Sequence, residues 1–263
     1  MKKLSTVILG SLLSIGSASG ACRYDLDATA AQISAMPTTI PNLKFPTVTG
    51  QRSAFQVTSN KLDTYNVKMF FAASANTAQQ MAINNQILVG DKNIAPSGQI
   101  AFEFLINNFS DTLVTSNTFI AIGYNIILTD TANALKLANI YVINDSVSGS
   151  YIKVNFSDMN GGNDTTNIYP IAISSIPGLR IGMFINQNTK QIGLNINGIN
   201  KGYITSFNGI PSKLSFLTSG YTMYVKNNDP NIGQTISGEL VTDKNKMGLT
   251  YAPSTTDICG TTL

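Results

Sequence analysis

The sequence has no histidine and no tryptophan, and only two glutamates, Glu103 and Glu239. Without histidine, Ser-His-Asp and Cys-His catalysis and the usual zinc sites are excluded. Without tryptophan, the commonest platform for stacking a sugar ring is missing, although ten tyrosines and twelve phenylalanines remain. The two glutamates stand far apart in sequence, so a carboxylate pair for glycoside hydrolysis has to be assembled by the fold. Glu103, within Ala101-Phe102-Glu103-Phe104, reads as an outward residue or as the satisfied partner of an arginine or lysine. Charged residues make up only 12% of the chain and no Lys/Arg cluster occurs, so the basic stripe of a nucleic-acid partner is absent. No glycine-rich loop follows a strand and opens a helix, so no nucleotide cofactor is implied. The residues imply no other cofactor and no metal.

Long apolar runs are also missing, except at the start. Lys2 and Lys3 precede a mostly apolar stretch, Leu4 to Ile15, followed by Ser17-Ala18-Ser19-Gly20-Ala21. Ser19 and Ala21 occupy −3 and −1 relative to a cut before Cys22, the small-x-small pattern of a signal peptidase site. The run is short for a membrane span and ends in small residues rather than a basic stop. Residues 1–21 therefore read as a signal peptide, and 22–263 as a single exported domain of the periplasm, cell surface or medium. Without Lys2 and Lys3 the chain carries 15 basic and 14 acidic side chains and is close to neutral.

Cysteine occurs twice, as Cys22 and Cys259. In an oxidising compartment an even count points to a disulfide, here tying one end of the domain to the other. The competing reading is an outer-membrane lipoprotein with Cys22 lipidated. Against it, lipoprotein signals usually carry an aliphatic residue at −3, where this chain has Ser19, and lipidation leaves Cys259 alone.

What is abundant is asparagine, at 28 residues, a turn former that tolerates positive φ. Between the turns, apolar residues alternate with period 2, the mark of strands with one buried face. Ile100, Phe102, Phe104 and Ile106 form one such set, Ile120, Ile122, Tyr124, Ile126 and Leu128 another, and Ile152, Val154 and Phe156 a third. Tyr221, Met223 and Val225 form a late example. Residues 25–36 predict a short helix with Asp27 as its N-cap. Some ten to thirteen strands are expected, with no internal repeat or linker. Asp158, Asn160, Asn163 and Asp164 crowd oxygen ligands into one polar loop. Their spacing does not fit an EF-hand, which leaves a solvated turn or a ligand-binding loop. Tyr151, Tyr203 and Tyr224 alternate with apolar neighbours, a pattern that allows a polar, aromatic face.

Residues 179–204 carry the most information. A strand over 180–186 enters the polar tip Asn186-Gln187-Asn188-Thr189-Lys190. A second strand returns over 191–197, and Asn197-Gly198 turns into a third near Gly202-Tyr203-Ile204. This hairpin resembles that of concanavalin A-like jelly rolls, including laminin G-like and SPRY-type domains, at Ile181, Gly182, Met183, Ile185, Asn186, Ile192, Leu194, Ile196, Asn197, Gly198 and Gly202. The resemblance implies an all-β fold, an antiparallel β-sandwich of jelly-roll type, to which residues 25–36 add a short N-terminal helix. It also implies neighbouring first and last strands, which would let Cys22 meet Cys259. An outer-membrane barrel is the alternative fold, but the chain ends in Gly-Thr-Thr-Leu and shows no aromatic girdles. The whole chain also resembles a family of secreted Gram-negative bacterial proteins with no assigned activity. The expectation is a non-catalytic module of the cell envelope that binds a glycan or surface polymer through the loop Asp158–Asp164. A subunit or accessory of a surface fibre and a polysaccharide hydrolase using Glu103 or Glu239 are the alternatives.

Overall fold

A computed structural model of the chain describes residues 22–38, 40–60, 66–84, 89–115, 117–130, 135–158 and 164–263. In chain order they form α1 (Ala30–Ser34), β1 (Asn42–Lys44), β2 (Thr47–Thr49), β3 (Arg52–Gln56), β4 (Val67–Ala73), α2 (Ala75–Asn84), β5 (Lys92–Asn93) and β6 (Gln99–Asn108). There follow β7 (Phe119–Asp130), β8 (Leu135–Asp145), β9 (Gly149–Asp158), β10 (Thr165–Pro170), β11 (Arg180–Asn186) and β12 (Gln191–Ile196). The chain closes with β13 (Ile199–Ser206), β14 (Pro211–Met223), β15 (Thr235–Val241) and β16 (Thr255–Thr256). Twelve of these strands have five or more residues, within the number expected from the alternation.

The strands build two sheets, a β-sandwich of jelly-roll type. The first runs β1-β4-β14-β7-β8-β9-β10, and the second β13-β12-β11-β6-β15-β3-β2. Pairing is antiparallel except where β1 joins β4 and β16 joins β6. The alternating residues meet between the sheets as anticipated: Phe102, Phe104, Ile120, Ile122, Tyr124, Ile126, Val154 and Phe156 are all buried. Tyr124 stacks on Phe104 with ring centroids 4.1 Å apart. The 179–204 region folds as read, with β11, β12 and β13 in one antiparallel meander. Asn197 and Gly198 turn it at φ 49° and 83°, the left-handed pair that a two-residue hairpin loop requires.

Two expectations need correction. Thr29, not Asp27, caps α1, through a capping box with Gln32. Asp27 instead accepts a hydrogen bond from the amide of Ala75, at the first residue of α2. The second correction concerns β14. Tyr221 and Met223 point away from the core, and Thr218, Gly220 and Thr222 point into it. Phe45, Phe55 and Phe70 already fill the space opposite, and a Cβ at Gly220 would stand 2.6 Å from the Phe55 ring. Only small side chains fit there.

Cys22 and Cys259 form a disulfide, with Cα atoms 5.8 Å apart. The sulfur of Cys22 is thereby committed, and with it the atom a lipid anchor would need.

Candidate functional site

The outer surfaces of the two sheets are treated differently. On the second sheet, the C-terminal segment lies across β6 and β11. Glu103 points out from β6, yet its side chain is completely enclosed. Its carboxylate pairs with Arg180 at 2.5 Å and accepts hydrogen bonds from the amides of Gly248 and Leu249 and from the Tyr251 hydroxyl. Burial first, and then the Glu103 charge, push the Tyr251 phenol well above its ordinary value, so it stays a donor. Glu239 lies on the adjacent β15, two residues from the position opposite Glu103, and faces Lys246 at 3.6 Å. The fold thus brings the two glutamates onto neighbouring strands, but Glu103 is a satisfied partner sealed from solvent.

The first sheet is different. At one side, α1, α2 and the N-terminal segment cover β4 and part of β14 through Ile33, Met36, Phe71, Ala78 and Leu217. Across β7, β8 and β9 the register sets polar side chains in rows. Asn125, Asn139 and Asn155 lie side by side on three adjacent strands, at the strand spacing of about 4.8 Å. The next row runs Ser219, Gly123, Tyr141, Lys153, and the one after it Tyr221, Ala121, Ile143, Tyr151.

The absent side chain at Gly123 makes room for Tyr141, since a Cβ there would come within 2.3 Å of its ring. The Tyr141 hydroxyl donates to Asn125 Oδ1 at 3.0 Å, and Asn125 Nδ2 donates to the Leu217 carbonyl and Ser219 Oγ. Tyr141 and Tyr221 meet edge to face at 5.9 Å. Burial, then the neighbouring Tyr221, raises the Tyr141 phenol; burial also raises Tyr221, against hydrogen bonds with Ser219 and Tyr141. Both rings therefore stay protonated through the physiological range. Asn125 is held, whereas Asn155 Oδ1 is buried without a hydrogen-bond partner among the described residues.

Beyond Tyr221, the row Met223, Phe119, Asp145 leads to a cleft of about 710 Å³, walled also by Asn66, Asn117, Val147 and Tyr224. Asp229 holds the segment behind it. One carboxylate oxygen accepts from the amide and hydroxyl of Thr115, the other from the amide and side chain of Asn231. Burial works against its charge, but these hydrogen bonds outweigh burial and hold its pKa below the usual carboxylate value. A depressed acid contributes stability above its unfolded pKa, near 4, that is lost as pH falls through the folded value. Asp229→Asn is expected to cost about 1–3 kcal/mol at pH 7. Urea unfolding at pH 7 and at pH 2–3 checks this: the gap between variant and parent should narrow in acid, and a gap independent of pH would refute it.

Of the residues proposed from sequence, Asp158 ends β9 and Asp164 stands exposed just before β10. Asn160 and Asn163 lie outside the described residues. Cys22, Asp257 and Cys259 cluster closely enough to suggest a metal site, but the disulfide uses both sulfurs. Tyr151 and Tyr224 border the amide face, and Tyr203 is exposed on the other sheet. Sequence reading missed the asparagine row and Tyr141.

Solved structures similar to this chain have low scores. A legume lectin-like domain from Entamoeba histolytica has 12% identity and a TM-score of 0.40, covering 74% of this chain and 87% of that one. For the family 7 alginate lyase A1-II′ the values are 12%, 0.37, 72% and 76%. For the β-glucanase of Bacillus licheniformis they are 9%, 0.37, 73% and 78%. No curated protein matches the chain in sequence. Residues 1–261 match the family described as "Domain of unknown function (DUF4882)", and the chain belongs to that family.

Proposed function

We propose that this is an exported glycan-binding module, and that the glycan lies across the amide face of β7, β8 and β9. The observation that carries this reading is the row Asn125, Asn139, Asn155 beside Tyr141. An amide both donates and accepts, so a row of them matches the hydroxyls of a sugar. The Tyr141 hydroxyl, whose proton goes to Asn125 Oδ1, offers a sugar hydroxyl an accepting lone pair, and its ring offers a flat apolar surface. No carboxylate lies within these rows: the strand positions between Asn125 and Tyr151 hold amides, aromatics, small or aliphatic residues and Lys153. Asp158 ends β9 and Asp164 directly precedes β10, and we propose that these two residues border the bound polymer. For export, the features are the N-terminal signal pattern and a disulfide of the kind that persists in oxidising compartments. No helix among the described residues is long and apolar enough to cross a membrane.

The test is electrophoresis through native gels cast with galactomannan, xylan, β-1,3-glucan or alginate. At least one polymer should retard the protein, and Asn139→Ala with Asn155→Ala should weaken that retardation about 10- to 100-fold, the loss of two to three hydrogen bonds. The melting temperature should stay unchanged. No retardation by any polymer, or a double variant that migrates like the parent, would remove the reading.

A specific observation favours a second reading, assembly by strand addition. The edge strands β10 and β13 carry Ile168 and Ile199, 58% and 61% exposed, and open edges pair readily with other chains. Concentration-dependent polymers in light scattering, abolished by Ile199→Lys, would support it.

A further inference from the structure

We infer that the cleft beyond Tyr221 is a subsite of the same glycan face, in which one sugar ring stacks on Tyr224. This rests on the glycan reading above and names where the chain of sugars ends its contact.

Three non-glycine residues at this cleft have left-handed backbone: Asn66 at φ 51°, Asn117 at φ 62° and Tyr224 at φ 55°. Asparagine tolerates that region, but a bulky aromatic residue there is an outlier. The conformation of Tyr224 is imposed from both sides. Its amide donates to the Asn66 carbonyl at 2.8 Å, and its carbonyl accepts from Thr118 Oγ1 at 3.3 Å. Strain of this kind persists where the surroundings over-determine it, and it collects at binding sites. Burial does not offset the strain, because Tyr224 is 47% exposed. What the backbone achieves is to hold an aromatic ring in the wall of a cleft whose other apolar lining is Met223, Phe119 and Val147.

The occupant follows from continuity. Met223 follows Tyr221 by two residues and lies on the same outward face of β14, about 7 Å further along the strand. A sugar chain laid over Tyr141 and Tyr221 therefore runs into the cleft. The apolar CH face of a pyranose matches the Tyr224 ring, and the Asn66 and Asn117 side chains at the rim suit its hydroxyls.

Glycine accepts a positive φ without strain, so Tyr224→Gly removes the ring and the strain together. In the gels above, with the polysaccharide that retards the parent, this variant should bind about tenfold more weakly while its melting temperature stays equal or rises. Tyr224→Phe keeps the ring and should bind within about twofold of the parent. A Gly variant that binds like the parent overturns the inference and leaves the glycan reading standing. So does a Phe variant as weak as the Gly one. A Gly variant with a lowered melting temperature shows that the ring only buttresses the loop, and overturns it too. If no polysaccharide retards the parent, both readings fall.

Discussion

Reducing the Cys22–Cys259 disulfide is expected to lower the unfolding free energy by about 3–5 kcal/mol and the melting temperature by roughly 10 °C. The bond spans 237 positions, and constraining so long a loop removes much of the freedom of the unfolded chain. The chain-entropy model gives about 5 kcal/mol for a loop of this length, and measured values often fall short. The folded ends are held by more than sulfur, which limits local loosening after reduction. The Thr242 hydroxyl donates to the Cys22 carbonyl at 3.0 Å and itself accepts from Gln51. Asp257 Oδ1 accepts from the amides of Cys259 and Thr261. The effect should therefore appear as a shifted global transition rather than a frayed terminus. Guanidinium unfolding with and without a phosphine reductant measures it, and the Cys22→Ser, Cys259→Ser double variant should match the reduced protein. Coincident curves for oxidised and reduced protein would contradict the prediction.

The second large effect is expected at Glu103. Glu103→Gln should cost about 3–5 kcal/mol, the usual consequence of removing one partner of a buried ion pair. The carboxylate serves Arg180, two backbone amides and a phenol at once. A neutral amide replaces one acceptor oxygen by a donor facing donors, and it leaves the guanidinium without its counter-charge. Pairing the change with Arg180→Met should recover part of the loss, because the residual unpaired charge disappears. Differential scanning calorimetry of the three variants gives the cycle. A Glu103→Gln protein as stable as the parent, but unable to process a polysaccharide that the parent degrades, would assign Glu103 to catalysis instead.

The strands were legible where both faces of a strand differ in chemistry. In β6, β7 and β9 the alternation of Phe102 with Glu103, or of Val154 with Lys153 and Asn155, leaves only one orientation. The turns of the β11–β13 meander were legible because Asn197-Gly198 can hold positive φ at both positions. In β14 the same reasoning failed. Tyr221 and Met223 look like core residues, and only the crowding by Phe45, Phe55 and Phe70 on the other side shows that they cannot be. The helix Ala75–Asn84 was missed because Ala, Asn, Thr and Gln dominate it and give no clear apolar stripe. The amide face was out of reach for a different reason. Asn125, Asn139 and Asn155 are each an unremarkable outward polar residue, separated by long stretches of sequence. Their meaning arises only from the register of three strands. Of the loop chosen from composition, Asp158 ends β9 three residues after Asn155 and Asp164 directly precedes β10, while 159–163 lie outside the described residues.

The disulfide also orders events in time. It joins residues 237 positions apart, so the covalent ring cannot close until all of the chain between them has been made. In the folded chain the bond lies close to β16, which pairs with β6. Once closed, the ring changes what a protease can do. A single cut in an exposed turn, such as that at Val147, leaves one connected molecule, and two cuts are needed before any fragment can leave.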